Sequence, residues 1–245
     1  MILVLCSAGH VTVAAKEAAE SIHEPSVACD PVVLRDPFKQ ARGCRAIVYG
    51  PAPRLLDAAA GETASSGRMR DVVRAAHAPG VERVVVVAPT SSFGDFGEEE
   101  ERVLEEDGVP FTIVRCAALL DELADATNLH AARSVWLPRG RYVELATRAA
   151  LTATIRSALF RNDLCGATIA VPTLRIDLVE AVRRAAAIAG AGVKVRATAR
   201  GLSSAMRKIH GWTDRRASFD VEALCDRLSC LAPRTPSRST AARTG

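Results

Sequence analysis

Short apolar runs alternate with stretches of helical periodicity along the first half of the chain, and this alternation limits the fold more than any other feature. Ile2-Leu-Val-Leu-Cys6 is apolar throughout, as a strand buried on both faces must be, and it passes through Ser7-Ala-Gly-His10 into an Ala-rich helical stretch that ends near Ile22. Pro25 to Cys29 and Val32 to Arg35 both read as strands, and only one need belong to a central sheet. Ala46-Ile-Val-Tyr49 is a clearer strand and stops at the breaker cluster Gly50-Pro-Ala-Pro53. A helix over 67–77 leads into Val84-Val-Val-Val87, the strongest strand signal in the chain. After the Pro89-Thr-Ser-Ser-Phe-Gly94 loop, Glu98 to Asp107 reads as an exposed acidic helix closed by Gly108, and Phe111-Thr-Ile-Val-Arg115 follows as a buried strand. Such βα alternation predicts an α/β fold, a doubly wound parallel sheet with helices on both faces.

Beyond Cys116 the pattern becomes mainly helical, with helices expected over 119–132, 147–160, 178–189, 203–209 and 221–228 and short strands over 168–171 and 193–197. With 245 residues the chain is long enough for a sizeable core. We therefore expect a single domain over 1–232, its core about 1–118 and a small, mainly helical substrate-side part about 119–232. Residues 233–245, which open on Pro233-Arg-Thr-Pro-Ser-Arg-Ser-Thr, lack apolar content and are expected to form a flexible tail. No basic leader precedes the first strand and no apolar stretch is long enough to span a bilayer, which predicts a cytoplasmic protein without membrane contact.

The seven cysteines are scattered and mostly set in apolar runs, so they read as reduced, buried small hydrophobes, and no metal site is expected, including at Cys225 and Cys230. Residues 1–130 hold 12 Lys and Arg against 20 Asp and Glu, while residues 131–245 hold 20 against 8, a net −8 and +12. The basic second half offers a surface for an acidic protein partner. Its arginines are spread along helical patterns with acids between them, Arg207-Lys-Ile-His-Gly-Trp212 included, so nucleic acid is not an expected partner.

The opening Ile-Leu-Val-Leu-Cys-Ser-Ala-Gly-His-Val-Thr resembles the glycine-rich turn of the NmrA-like, atypical branch of the short-chain dehydrogenase/reductase superfamily. That turn has the form G-x-x-G-x-x-G, in which glycines permit the tight turn, backbone approach to a pyrophosphate and close helix packing. With Gly9 at the middle position, Cys6 and Thr12 occupy the two outer ones. Gly80-Val-Glu-Arg-Val-Val-Val-Val-Ala-Pro-Thr-Ser-Ser resembles the strand that leads into the family's Ser/Thr-rich active-site loop. Glu99 to Arg115 resembles its next helix and strand, and Tyr142 to Leu159 followed by Gly166-Ala-Thr-Ile-Ala-Val its late helix and short strand. The resemblance covers roughly residues 1 to 190. It implies a Rossmann-type fold that binds NADP or NAD and a reductase acting on a small organic substrate.

On that resemblance Ser7, Ala8, Gly9, His10 and Val11 form the turn that meets the pyrophosphate, Gly50, Pro51 and Ala52 flank the adenosine, and Arg35 stands where a 2′-phosphate would be paired. Ser91 and Ser92, beside Thr90, are the candidate catalytic hydroxyls, while His130 and Trp136 fall in a region that lines substrate pockets in relatives and are otherwise packing residues. The family's Tyr-x-x-x-Lys proton-transfer pair is missing, because neither tyrosine, Tyr49 or Tyr142, has a lysine four residues later. The alternative is therefore a scaffold without hydride transfer, a non-redox cyclase, isomerase or dehydratase or a regulatory or structural pseudoenzyme, in which Cys6 and Thr12 exclude the cofactor.

Overall fold

The computed structural model describes residues 1–6, 9–30, 36–50, 66–90, 98–126 and 134–198. Six parallel strands form the main sheet: β1 (Ile2–Cys6), β2 (Ser26–Cys29), β3 (Ala46–Gly50), β4 (Arg83–Pro89), β5 (Phe111–Cys116) and β8 (Ala167–Ala170), in the order β2-β1-β3-β4-β5-β8. Every residue of β1, β3 and β4 is buried, as their sequences, apolar apart from Arg83 at the start of β4, require when helices cover both faces of a parallel sheet. The fold is a doubly wound Rossmann-type α/β domain.

Alternation along the strands divides the core into two layers. Ile2, Val4, Val48, Val85 and Val87 face α1 (His10–Ser21) and α6 (Arg148–Phe160), whereas Leu3, Leu5, Ile47, Tyr49, Val84 and Val86 face the side carrying α2 (Pro37–Ala41), α3 (Ser66–Ala76) and α4 (Glu98–Asp107). α1 lies close to α6 because its inner positions, Ala14, Ala15, Ala18 and Ala19, are small. Thr147 starts α6 by accepting a hydrogen bond from the Ala150 N–H at 3.1 Å. At the other end of α6 the buried Arg83 donates to the Ala158 and Arg161 carbonyls at 2.9 and 3.1 Å and to Asn162 Oδ1, so a cation from β4 satisfies the carbonyls that the helix end leaves over. α4 ends where Gly108 turns to φ +69°, a conformation that strains any residue with a Cβ.

A third cluster gathers α5 (Leu120–Ala126), β6 (Ser134–Pro138), β7 (Tyr142–Ala146), β9 (Thr173–Asp177), α7 (Leu178–Ile188) and β10 (Lys194–Thr198). β6 pairs in parallel with β10, and β7 antiparallel with β9. This part carries more strand than the mainly helical pattern anticipated. Residues 142–146, grouped above with a late helix, form a strand with Val143 and Leu145 turned inward, and the helix begins only at Arg148. Asp177 fixes the unit, accepting from the Val179 N–H at 3.0 Å and from the Gly140 N–H at 3.1 Å, which ties the turn before β7 to the start of α7. The helices expected over 203–209 and 221–228 and the tail at 233–245 lie outside the described residues. Among those that are described, no helix is long and apolar enough to cross a membrane.

Candidate functional site

The strand order reverses at β1, which has β2 on one side and β3 on the other. At such a switch point the connections leave in opposite directions and open a crevice beyond the carboxyl ends of the strands, where open α/β sheets take their ligands. The register sets the floor of this crevice. Leu5 pairs with Cys29, the last residue of β2, and with Tyr49 on β3, and Cys6 pairs with Gly50.

Gly9 follows β1 and stands at the N-cap of α1, where its carbonyl accepts from the Val13 N–H at 3.2 Å. Having no side chain, it makes no side-chain cap, and the first turn of α1 contains no acid. By contrast Asp36, Thr147 and Asp177 each cap their own helices with a side-chain oxygen. The amide end of α1, with its partial positive charge, is thus presented without a competing carboxylate of its own.

Cys6 and Thr12 are the residues on which cofactor binding was expected to turn. The Cys6 side chain is 2% exposed and points down into the α1 layer, its thiol toward the Val48 carbonyl at 4.0 Å. Gly50 provides its space: a Cβ at position 50 would lie 2.9 Å from Cys6 Sγ and 3.1 Å from a Val11 methyl. The glycine missing from the end of β1 is matched by one at the end of β3. Thr12 is 9% exposed, among the buried residues of α1. Both side chains are therefore packed into the fold, and the residues present fit a diphosphate laid against the α1 amides. Burial pushes the Cys6 thiol up to about 12, against a smaller opposite effect of its Gly50 backbone contact, so it serves as a small hydrophobe and not a nucleophile.

The far end of the crevice lies above β4 and β5. Thr90 donates its N–H to the Cys116 carbonyl at 3.0 Å. Arg115 pairs with Glu101 of α4 and donates to the Pro89 carbonyl at 3.4 Å, which joins the last residues of β4 to α4. Cys116 is fully buried, and its thiol is raised first by burial and then by the nearby Glu122 carboxylate. Glu122, itself without exposed surface, lies at the start of α5 and accepts from the Leu119 N–H at 3.4 Å. Tyr49 is turned under the sheet and Tyr142 lies on the outer side of β7, 5.4 Å beneath the Arg175 guanidinium, so neither phenol faces this end.

Of the residues singled out from the sequence, Gly9, His10, Val11 and Gly50 are brought together at the switch point. Ser7, Ala8, Arg35, Ala52, Ser91, Ser92 and His130 lie outside the described residues. Trp136 is on the open face of β6, 5.1 Å from the Arg196 guanidinium, and not in the core. Cys165 is exposed, unlike the buried thiols Cys6, Cys44 and Cys116, and no group of metal-ligating side chains occurs among the described residues. Asp30 was missed, although an acid about 20 residues past the turn glycine, at the end of the second strand, is a recognisable signal.

No family model and no curated protein matches this sequence. Solved structures with the same fold are numerous. They include a nucleoside-diphosphate-sugar epimerase from Staphylococcus aureus, 15% identical, with 95% of this chain and 90% of that one covered at a TM-score of 0.56. A dTDP-4-dehydrorhamnose reductase from Bacillus anthracis, in complex with NADP, is 13% identical over 86% of this chain and 92% of that one, at a TM-score of 0.59. An NADPH-dependent quinone oxidoreductase from Escherichia coli, complexed with NADPH, is 15% identical over 95% and 90%, at 0.57. At such identities the likeness establishes the fold alone, a Rossmann-type α/β domain.

Proposed function

We propose that this chain is an atypical short-chain reductase that binds NAD(H) or NADP(H) in the switch-point crevice and acts on a small organic substrate. The observation that carries the reading is the uncapped, acid-free N-terminus of α1 behind Gly9, with the side chains at both altered glycine positions packed inside. The amides of Gly9, His10 and Val11 would hold the diphosphate, while Gly50 and Ala52 would border the adenosine. A bound nicotinamide supplies or accepts a hydride. Proton exchange falls to the hydroxyls that follow β4, Ser91 and Ser92, because Tyr49 is buried away from the crevice.

That last point also favours a second reading, in which the crevice binds a nucleotide without hydride transfer and the chain acts as a non-redox enzyme or a sensor. Titration with NADH and NADPH, followed by nucleotide fluorescence or calorimetry, tests the shared premise. Binding in the micromolar range that is lost in Gly9→Trp, with the circular dichroism of the variant unchanged, is the expected result. A wild-type chain that binds neither nucleotide overturns both readings. Bound NAD(P)H that is never oxidised by a panel of carbonyl and quinone acceptors would select the second.

A further inference from the structure

Trp136 stands outside all three core clusters. It lies on the outer face of the two-stranded parallel sheet β6–β10 and is 43% exposed, while its neighbours Val135 and Leu137 are buried. The register pairs Trp136 with Arg196 and Ser134 with Lys194, and alternation puts all four exposed side chains on this face. The Arg196 guanidinium lies 5.1 Å from the indole centroid and covers the ring on the β10 side. β6 has no partner strand on its other side among the described residues, so the second ring face looks out over an open edge. Arg139 and Arg141, both exposed, continue the positive charge on the turn that leaves β6. Arg183 and Arg184 of α7 pair with Glu180, whereas Arg139, Arg141, Lys194 and Arg196 are in no ion pair among the described residues.

We propose that this face binds single-stranded nucleic acid, a function independent of the dinucleotide reading. An unpaired base stacks on the free face of an exposed indole, whatever the base. A duplex keeps its bases stacked on one another and must be opened before it can offer one. Lys194 and Arg196 are about 6.6 Å apart along one face of β10, a spacing that an extended sugar-phosphate chain spans between successive phosphates. The Arg196 guanidinium meets the ring through its charge and keeps its N–H donors for a phosphate. An acidic protein surface would satisfy the cations and leave the indole without a planar partner, so the aromatic decides between the two polyanions. The scatter of cations along the sequence argued against nucleic acid, but the parallel pairing of β6 with β10 gathers residues from two distant segments onto one face.

A fluorescein-labelled oligouridylate of about twelve nucleotides is titrated with the full-length protein by anisotropy over a range of salt concentrations, with thermal melts to verify that each variant folds. Micromolar binding is expected, its log K falling by about 0.7 per ten-fold rise in salt for each phosphate engaged. Trp136→Leu should weaken binding about ten-fold, and Lys194→Gln should weaken it and lower the salt slope by about one phosphate's share. Unlabelled duplex RNA of the same length and polyglutamate should both compete poorly. No binding by the wild type at low salt overturns the proposal. So does an affinity that Trp136→Leu leaves unchanged, which would place the contact on other cations of the chain. Displacement by polyglutamate as effective as by the unlabelled single strand, at matched charge, overturns it in favour of an acidic protein partner.

Discussion

The two ends of the crevice differ from the usual dehydrogenase pattern in different ways. Above β1 and β3 the sequence looks altered, with two of three turn glycines replaced, yet the packing has absorbed the change: Cys6 occupies room that Gly50 leaves, and Thr12 is buried. Above β4 and β5 the strands and their spacing are kept, but no phenol faces the crevice; Arg115 of β5 is paired with Glu101 of α4, and Glu122 accepts from the Leu119 N–H at the start of its own helix. A lost glycine motif can leave binding geometry intact when a neighbouring strand adjusts, whereas a lost proton donor must be replaced by another group. On the proposed reading, binding belongs to the first end and chemistry to the second.

Thiol labelling draws the sharpest contrast. A thiol with a pKa of about 12 is reactive at pH 8 roughly a thousandfold less than an ordinary exposed one. In a timed alkylation read by peptide mass spectrometry, the exposed Cys165 should be modified early, while Cys6 and Cys116 react only on unfolding. Early modification of Cys6 would place its side chain in the open crevice and remove the compensation by Gly50.

Gly50→Ala probes the same compensation from the other side. Its new methyl meets Cys6 Sγ and Val11, and overpacking of this kind costs about 1–3 kcal/mol in chemical denaturation. In a Cys6→Gly background the penalty should largely vanish, so that the double-mutant cycle reports a coupling of similar size. At the other end, Arg115→Met should cost about 1 kcal/mol through its part-buried contacts with Glu101 and Pro89, and should leave nucleotide affinity unchanged. A large loss of nucleotide affinity in Arg115→Met would break the division between the ends.

The smallest expected effect concerns α2, which follows the β2 edge. The Lys39 N–H hydrogen bond holds the Asp36 carboxyl below the usual carboxylate range, with Lys39 and Arg42 adding to the shift. A carboxyl lowered on folding stabilises at pH values above its unfolded pKa of about 3.9, and that contribution is lost as pH falls through the lowered folded value. Melting temperature between pH 6 and pH 3 should therefore drop slightly less in Asp36→Asn, whose neutral side chain still caps the helix, than in the wild type.

Much of the fold was legible because a parallel sheet covered on both faces demands unbroken apolar strands, and Ile2–Cys6, Ala46–Tyr49, Val84–Val87 and Phe111–Arg115 supply them. β6, β7 and β9 were harder to see: each is five residues long and covered on one face only, and Ala-rich helical sequence begins within two residues of β7. In the site, the turn at Gly9 and the glycine at position 50 were readable from order along the chain. The direction in which Cys6 points was not, because it depends on what stands at position 50, and that pairing comes from the register of two strands more than forty residues apart.

A crystal structure of the full chain grown with NADH at millimolar concentration tests the central claim most directly. The account predicts the diphosphate against the amides of Gly9, His10 and Val11, the adenosine ribose at the β2 edge and the Cys6 side chain still buried beneath. A nucleotide bound elsewhere, or a Cys6 side chain standing where the diphosphate should lie, would contradict it.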